Sequence, residues 1–215
     1  MVMIINPYNT TSTSTSGGNI QIGFGTTFDV RYPSYFNYNY SVSAFIYSPT
    51  ELSLVSGKFI YKIEFEMKND FADCVADNQI LSLAHYTSSG FPSTLRANLT
   101  TSANATIPIT GLTKFTAVKN SSWPVRQTST NETIWLGLDF TTSPFEYDGT
   151  KYLIIHWLSN DGSYIVGTGS NPKCLRPTTG PTNSAFSLAT DSAPITTNIV
   201  TANSQGRPNI KIYWL

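Results

Sequence analysis

The residue types able to do chemistry are sparse in this chain. A serine or cysteine nucleophile needs an adjacent base, usually histidine, and the only histidines are His85 and His156. Both fall inside strand-like stretches. His156 stands between Ile155 and Trp157 in the most apolar segment, which reads as a packed core histidine, and His85 reads as a strand-end residue. No nucleophile-elbow, zincin, Walker or dinucleotide-binding pattern accompanies them. Thirteen acidic residues allow many carboxylate pairs, so a glycosidase pair would have to be found in space rather than in sequence. Asp70, Asp73 and Asp77 in KNDFADCVADN offer oxygen ligands for calcium, but without the glycine and terminal glutamate of the familiar calcium loop. A solvated acidic loop is the expectation there, with no metal and no cofactor.

Aromatic residues are the more promising material for binding. In RYPSYFNYNYSVSAFIY, Phe36, Tyr38, Tyr40, Val42, Ala44 and Ile46 share one strand face, opposite Asn37, Asn39, Ser41 and Ser43. That pattern predicts a core face. Tyr32 and Tyr35 precede the alternation and are the candidate ligand-binding rings, suited to sugar faces or a protein interface.

Period-two patterning recurs along the chain, whereas helical spacing is scarce. GKFIYKIEFEMK places Phe59, Tyr61, Ile63, Phe65 and Met67 on one face, interrupted only by Ile60. ETIWLGLDF alternates Ile134, Leu136, Leu138 and Phe140 with Trp135, Gly137 and Asp139, and KYLIIHWLS is apolar on both faces, as expected for a central strand. Asp148-Gly149 between these two is a tight-turn signal, predicting that they form a long antiparallel hairpin. Shorter strands are predicted at 19–25, 38–47, 79–86, 106–110, 114–118, 164–167, 184–188 and 209–215. SPTELSLVSG is the one helix-like piece, with Ser48 or Thr50 as its N-cap. About eleven short strands predict an all-β, antiparallel two-sheet sandwich of the jelly-roll type.

The composition agrees with this fold. Of 215 residues only 12% are charged, the net charge is zero, and Ser plus Thr make up roughly a quarter of the chain. The thirteen Lys and Arg are scattered, which argues against a nucleic-acid partner. The longest apolar run, near Tyr152, is far short of a membrane helix, so no membrane insertion is expected. Cys74 and Cys174 stand a hundred positions apart and read as separate thiols formed in a reducing cytosol. Six Asn-x-Ser/Thr triplets begin at Asn9, Asn39, Asn98, Asn104, Asn120 and Asn131, little above the roughly four expected by chance in this composition.

The first eighteen residues, MVMIINPYNTTSTSTSGG, divide into an apolar start and a Thr/Ser/Gly leash. They lack the charge and length of an export signal. Residues 1–18 are read as an arm and linker, and 19–215 as one sandwich domain. Val2, Ile4, Ile5, Pro7 and Tyr8 are the candidate anchoring residues, by strand addition to a neighbouring protein. The competing expectation is an edge strand of the chain's own domain.

The order of several segments is similar to the jelly-roll adhesin modules (cleaved-adhesin or MAM-like) of Bacteroidetes surface proteins. The matching residues are Ile46-Tyr47 with Glu51-Leu52, Pro144-Phe145 with Tyr147-Asp148-Gly149 and Leu153, and Arg207-Pro208-Asn209. The resemblance spans about 19–215, loosely from 94 to 131, and implies a non-catalytic sandwich for adhesion or for carbohydrate and protein contact. Together with the arm, it leads to the expectation of a non-enzymatic virion structural protein of a tailed phage. Such a protein would be displayed as a head decoration or fibre, or as a tail-associated receptor-binding element. The expected partners are other virion proteins and a host surface glycan or protein, in a homo-oligomer or symmetric array. The alternative is a bacterial cell-surface carbohydrate-binding adhesin.

Overall fold

The computed structural model describes residues 17–91, 94–96, 116–127, 131–163, 171–195, 199–201 and 206–215. The candidate anchoring residues Val2, Ile4, Ile5, Pro7 and Tyr8, the expected strands at 106–110 and 164–167, and the triplets at Asn9, Asn98 and Asn104 lie outside them. Fourteen strands are described: β1 (Gly18–Ile22), β2 (Thr27–Asp29), β3 (Tyr40–Tyr47), β4 (Lys58–Lys68), β5 (Cys74–Tyr86), β6 (Thr94–Arg96), β7 (Thr116–Val125), β8 (Thr133–Asp139), β9 (Phe145–Tyr147), β10 (Tyr152–Ser159), β11 (Lys173–Arg176), β12 (Ala185–Thr190), β13 (Ile199–Thr201) and β14 (Ile210–Trp214).

Two antiparallel sheets pack as a sandwich, as the period-two patterning predicts. Sheet A runs β1-β14-β4-β11-β2, with β8 and β9 on the other side of β4; sheet B runs β12-β3-β10-β5-β7. A small β6–β13 pair forms a third sheet, with β13 in contact with β12 of sheet B. The central place of β10, between β3 and β5, explains why its sequence is apolar on both faces. At the edge, β7 carries Pro124, which has no N–H to offer a further strand.

The space between the sheets is filled by large rings. Trp123 and Trp157 meet at 4.8 Å, and Phe65 lies edge-on to Trp157 at 5.5 Å. Buried Gln79 accepts the Trp157 indole N–H at 2.7 Å and donates to Ser159 Oγ at 2.7 Å, so the polar atoms in this dry layer are matched to each other. A second cluster lies on the outer face of sheet B, where Val42, Ala44, Ile46, Ile154 and Leu158 meet Phe91 and Ile195 from the segments after β5 and β12.

Several expectations are corrected. The strands β8 and β10 do not form a hairpin: β8 and β9 pair with β4 in sheet A, whereas β10 pairs with β3 and β5 in sheet B. Asp148-Gly149 does make the predicted turn, with Asp148 Oδ1 accepting the Thr150 and Lys151 N–H groups, but the turn carries the chain from one sheet to the other. In β4 the alternation reverses at a bulge: Tyr213 faces Lys62 and Trp214 faces Ile60, leaving Tyr61 unopposed. Ile60 is therefore buried and Phe59 exposed, the opposite of the simple pattern. In β3 the Val42, Ala44 and Ile46 face enters the outer cluster, while Phe45 and Tyr47 belong to the core between the sheets. Ser41 and Ser43 share the inward face because residues 32–36 tuck beneath them: Ser41 Oγ accepts the Tyr35 N–H and Ser43 Oγ donates to Pro33 O.

The helix-like piece reduces to one 3-10 turn, Ser53–Val55. Its N-cap is Leu52, without a side-chain cap, in place of the expected Ser48 or Thr50; Ser48 instead braces the preceding turn, with Glu51 N–H donating to Ser48 Oγ and Ser48 N–H donating to Glu51 Oε2. Among the described residues, no helix is long and apolar enough to cross a membrane.

Candidate functional site

Asn209, immediately before β14, is completely buried and organises the end of sheet A. Its backbone N–H donates to Leu175 O and its carbonyl accepts the Glu66 N–H. Its side chain acts as a short piece of strand: Oδ1 accepts the Gly25 N–H at 3.0 Å, while Nδ2 donates to Gly25 O at 2.7 Å and to Glu66 Oε2 at 2.9 Å. The β1–β2 loop is thereby tied to β14 and β4. The sequence of the loop, GFGT, suits this arrangement. A Cβ on Gly25 would lie 1.9 Å from Pro177 N, and Gly23 has φ +87°, which favours glycine.

The consequence is the outward position of Phe24. Ile20 and Ile22 pair with Ile212 and Ile210, and continued alternation would send Phe24 inward as well. The positive φ of Gly23 breaks that phase, leaving Phe24 78% exposed. Phe28, on the outer side of β2, is 40% exposed. The two rings border a groove of about 470 Å³ on sheet A, with Leu175, Glu66, Gln21 and Thr133 among its other walls. Glu66 Oε1 accepts from Thr133 Oγ1 at 3.1 Å, and Gln21 Nε2 donates to Gly23 O at 3.2 Å, so the polar walls are themselves braced.

Three rings on sheet A have cations above them. Lys211 lies 4.1 Å from the Trp135 centroid, Lys62 4.8 Å from Tyr213, and Lys68 4.8 Å from Phe28. Among the described residues, no ring or cation packs on Phe24.

Beside the lining carboxylates Glu66 and Glu132, three further carboxylates of the molecule are held in framework ion pairs. Asp29, 4% exposed at its side chain, accepts from Arg31 Nε and Nη2 and from Arg176 Nε at 2.6–2.8 Å. Burial alone would raise its carboxyl, but the hydrogen bonds from Arg31 and Arg176 outweigh it and hold the group below the usual aspartate range. Asp70 sits between Lys68 at 2.9 Å and Lys173 at 3.3 Å. Glu51 is engaged by Arg207, whose guanidinium also lies over Tyr47 at 4.5 Å.

The ligand-binding expectation for Tyr32 is corrected: its ring is fully buried and edge-on to Phe45 at 5.1 Å, as part of the core. Tyr35 is half-buried and edge-on to Tyr38 at 4.7 Å; neither Tyr32 nor Tyr35 lines the groove. His156 is buried in β10, as its neighbours predict, and His85 stands at the end of β5. Asp73 accepts the Gln127 N–H, and Asp77 accepts from Ser122 Oγ. Among the described residues, no three His, Cys, Asp or Glu side chains gather as a metal site. Cys74 and Cys174 are free thiols, as expected. Phe24 escaped the sequence reading because alternation assigns it inward; the only hint was its place between two glycines. No protein-family model, no curated protein and no solved structure matches this chain.

Proposed function

We propose that this protein is a non-enzymatic binding sandwich displayed on the surface of a tailed-phage particle, as a head decoration or fibre or as a tail-associated receptor-binding element. The sandwich is taken as jelly-roll type, anchored through Val2, Ile4, Ile5, Pro7 and Tyr8, with sheet A turned outward. The observation that carries the binding role is the bare Phe24 ring, held in solvent by the Asn209 clamp on Gly25. Exposing a large ring on a fixed loop costs hydration free energy that contact with a partner recovers. The non-enzymatic part rests on the resemblance of the sequence to adhesin modules; Asp29, Glu51 and Asp70 are engaged by cations of the framework, while Glu66 and Glu132 are the carboxylates that line the groove. Free Cys74 and Cys174 accord with folding in a reducing cytosol before release by lysis.

A bacterial cell-surface carbohydrate-binding adhesin is the second reading, favoured by the mixed aromatic and polar walls of the same groove. Mass spectrometry of particles purified from a phage encoding this chain separates the two. The expected result is the full chain in particles and loss of incorporation when residues 1–9 are deleted. Absence of the full chain from washed particles would overturn the virion reading.

A further inference from the structure

The geometry points to the groove between Phe24 and Phe28 as a binding site for a neutral saccharide. This inference rests on the binding role proposed above, which both readings share. A ligand that suits the site needs a small apolar face for the bare Phe24 ring and hydroxyl groups for the polar wall. Pyranose rings offer both on opposite faces or edges. Each Glu66 oxygen accepts one framework hydrogen bond, from Thr133 or Asn209, and keeps a lone pair for a second donor. Thr133 Oγ1, having donated its proton to Glu66, can only accept, and a sugar hydroxyl supplies that proton. Gln21 commits one amide proton to Gly23 O and retains the other.

Charge narrows the class. Glu66 and Glu132 both line the groove, so carboxylated or sulfated sugars meet like charge there, while a neutral hexose does not. Lys68, whose ammonium lies over the Phe28 ring, is already held by Asp70. Preorganisation is the remaining argument: the loop is fixed before any ligand arrives, by Asn209 on one side and the Arg176–Pro177 backbone on the other.

The test is affinity electrophoresis of the full chain through gels containing dextran, galactomannan, mannan or chitin oligosaccharides, with alginate and polylysine as charged controls. At least one neutral glycan should retard the protein. Phe24→Ala should weaken that retardation tenfold or more and Phe24→Tyr should preserve it, both variants keeping the parent near-ultraviolet circular dichroism because Phe24 lies outside the core. No retardation by any of the four neutral glycans, equal retardation of Phe24→Ala, or binding confined to alginate or polylysine would overturn the assignment. The outcome is separable from particle composition: a chain found in particles but indifferent to Phe24→Ala loses only the sugar site, and a sugar-binding chain absent from particles loses only the virion reading.

Discussion

His85 joins the two sheets through its uncharged imidazole. It belongs to β5 of sheet B, yet its ring lies 4.9 Å from Phe145 and 5.8 Å from Tyr147 in β9 of sheet A, and its Nε2 accepts the Asp148 N–H at 3.1 Å. Burial lowers the affinity of the ring for a proton, and this outweighs the opposing pull of the Asp148 carboxylate. The unfolded chain therefore binds the proton more tightly than the folded one. Stability from this site is complete above the ordinary histidine value near 6.5 and declines as pH falls from there through the lower folded value. Urea titrations from pH 7.5 to 5 should show that decline. In His85→Gln, which keeps an acceptor but does not titrate, the decline should be smaller; an unchanged slope would assign it to other groups.

Among the elements, the loop between β1 and β2 depends most on a single side chain. Asn209→Ala would leave the Gly25 N–H and C=O without their partners, a loss of about 2–4 kcal/mol in unfolding free energy by chemical denaturation. Asn209→Asp keeps the acceptor for Gly25 N–H but turns a carboxylate oxygen toward Gly25 O and Glu66, so it should be at least as damaging. A loss under about 1 kcal/mol for both would mean that the loop is held by other contacts. This element also marks how much could be read beforehand. The strands β4 and β8 were legible because their apolar residues repeat at the strand period, and β10 because an apolar run on both faces announced its central place. What alternation does not encode is the partner of a strand. The turn at Asp148 looks the same locally whether it closes a hairpin or crosses between sheets, and the bulge at Tyr61 is set by β14, more than 150 residues away. Likewise, the core place of Tyr32 and the outward turn of Phe24 depend on long-range packing and on one backbone angle.

At the scale of the whole molecule, the two thiols provide a probe of cooperative unfolding. Cys174 is wholly buried, and burial pushes its thiol well above the usual range; Cys74 is half-buried and is pushed up to about 11, again chiefly by burial. Thiolate is the reactive form, so Ellman's reagent at pH 7.5 should label Cys74 slowly and Cys174 only on unfolding, with two equivalents released in denaturant. Rapid release of both from the folded protein would contradict the packing of β11 against β4. The molecule is also one-sided. The outer cluster of Val42, Ile154 and Phe186 lies over sheet B, while the groove opens on sheet A. In the display proposed above, copies on one particle with the same face outward would address a single cell surface together. Retention would then be governed by avidity, which can exceed single-site affinity by about 10²–10⁴ without any new contact, so that under this proposal a shallow, weak site would suffice for a durable grip.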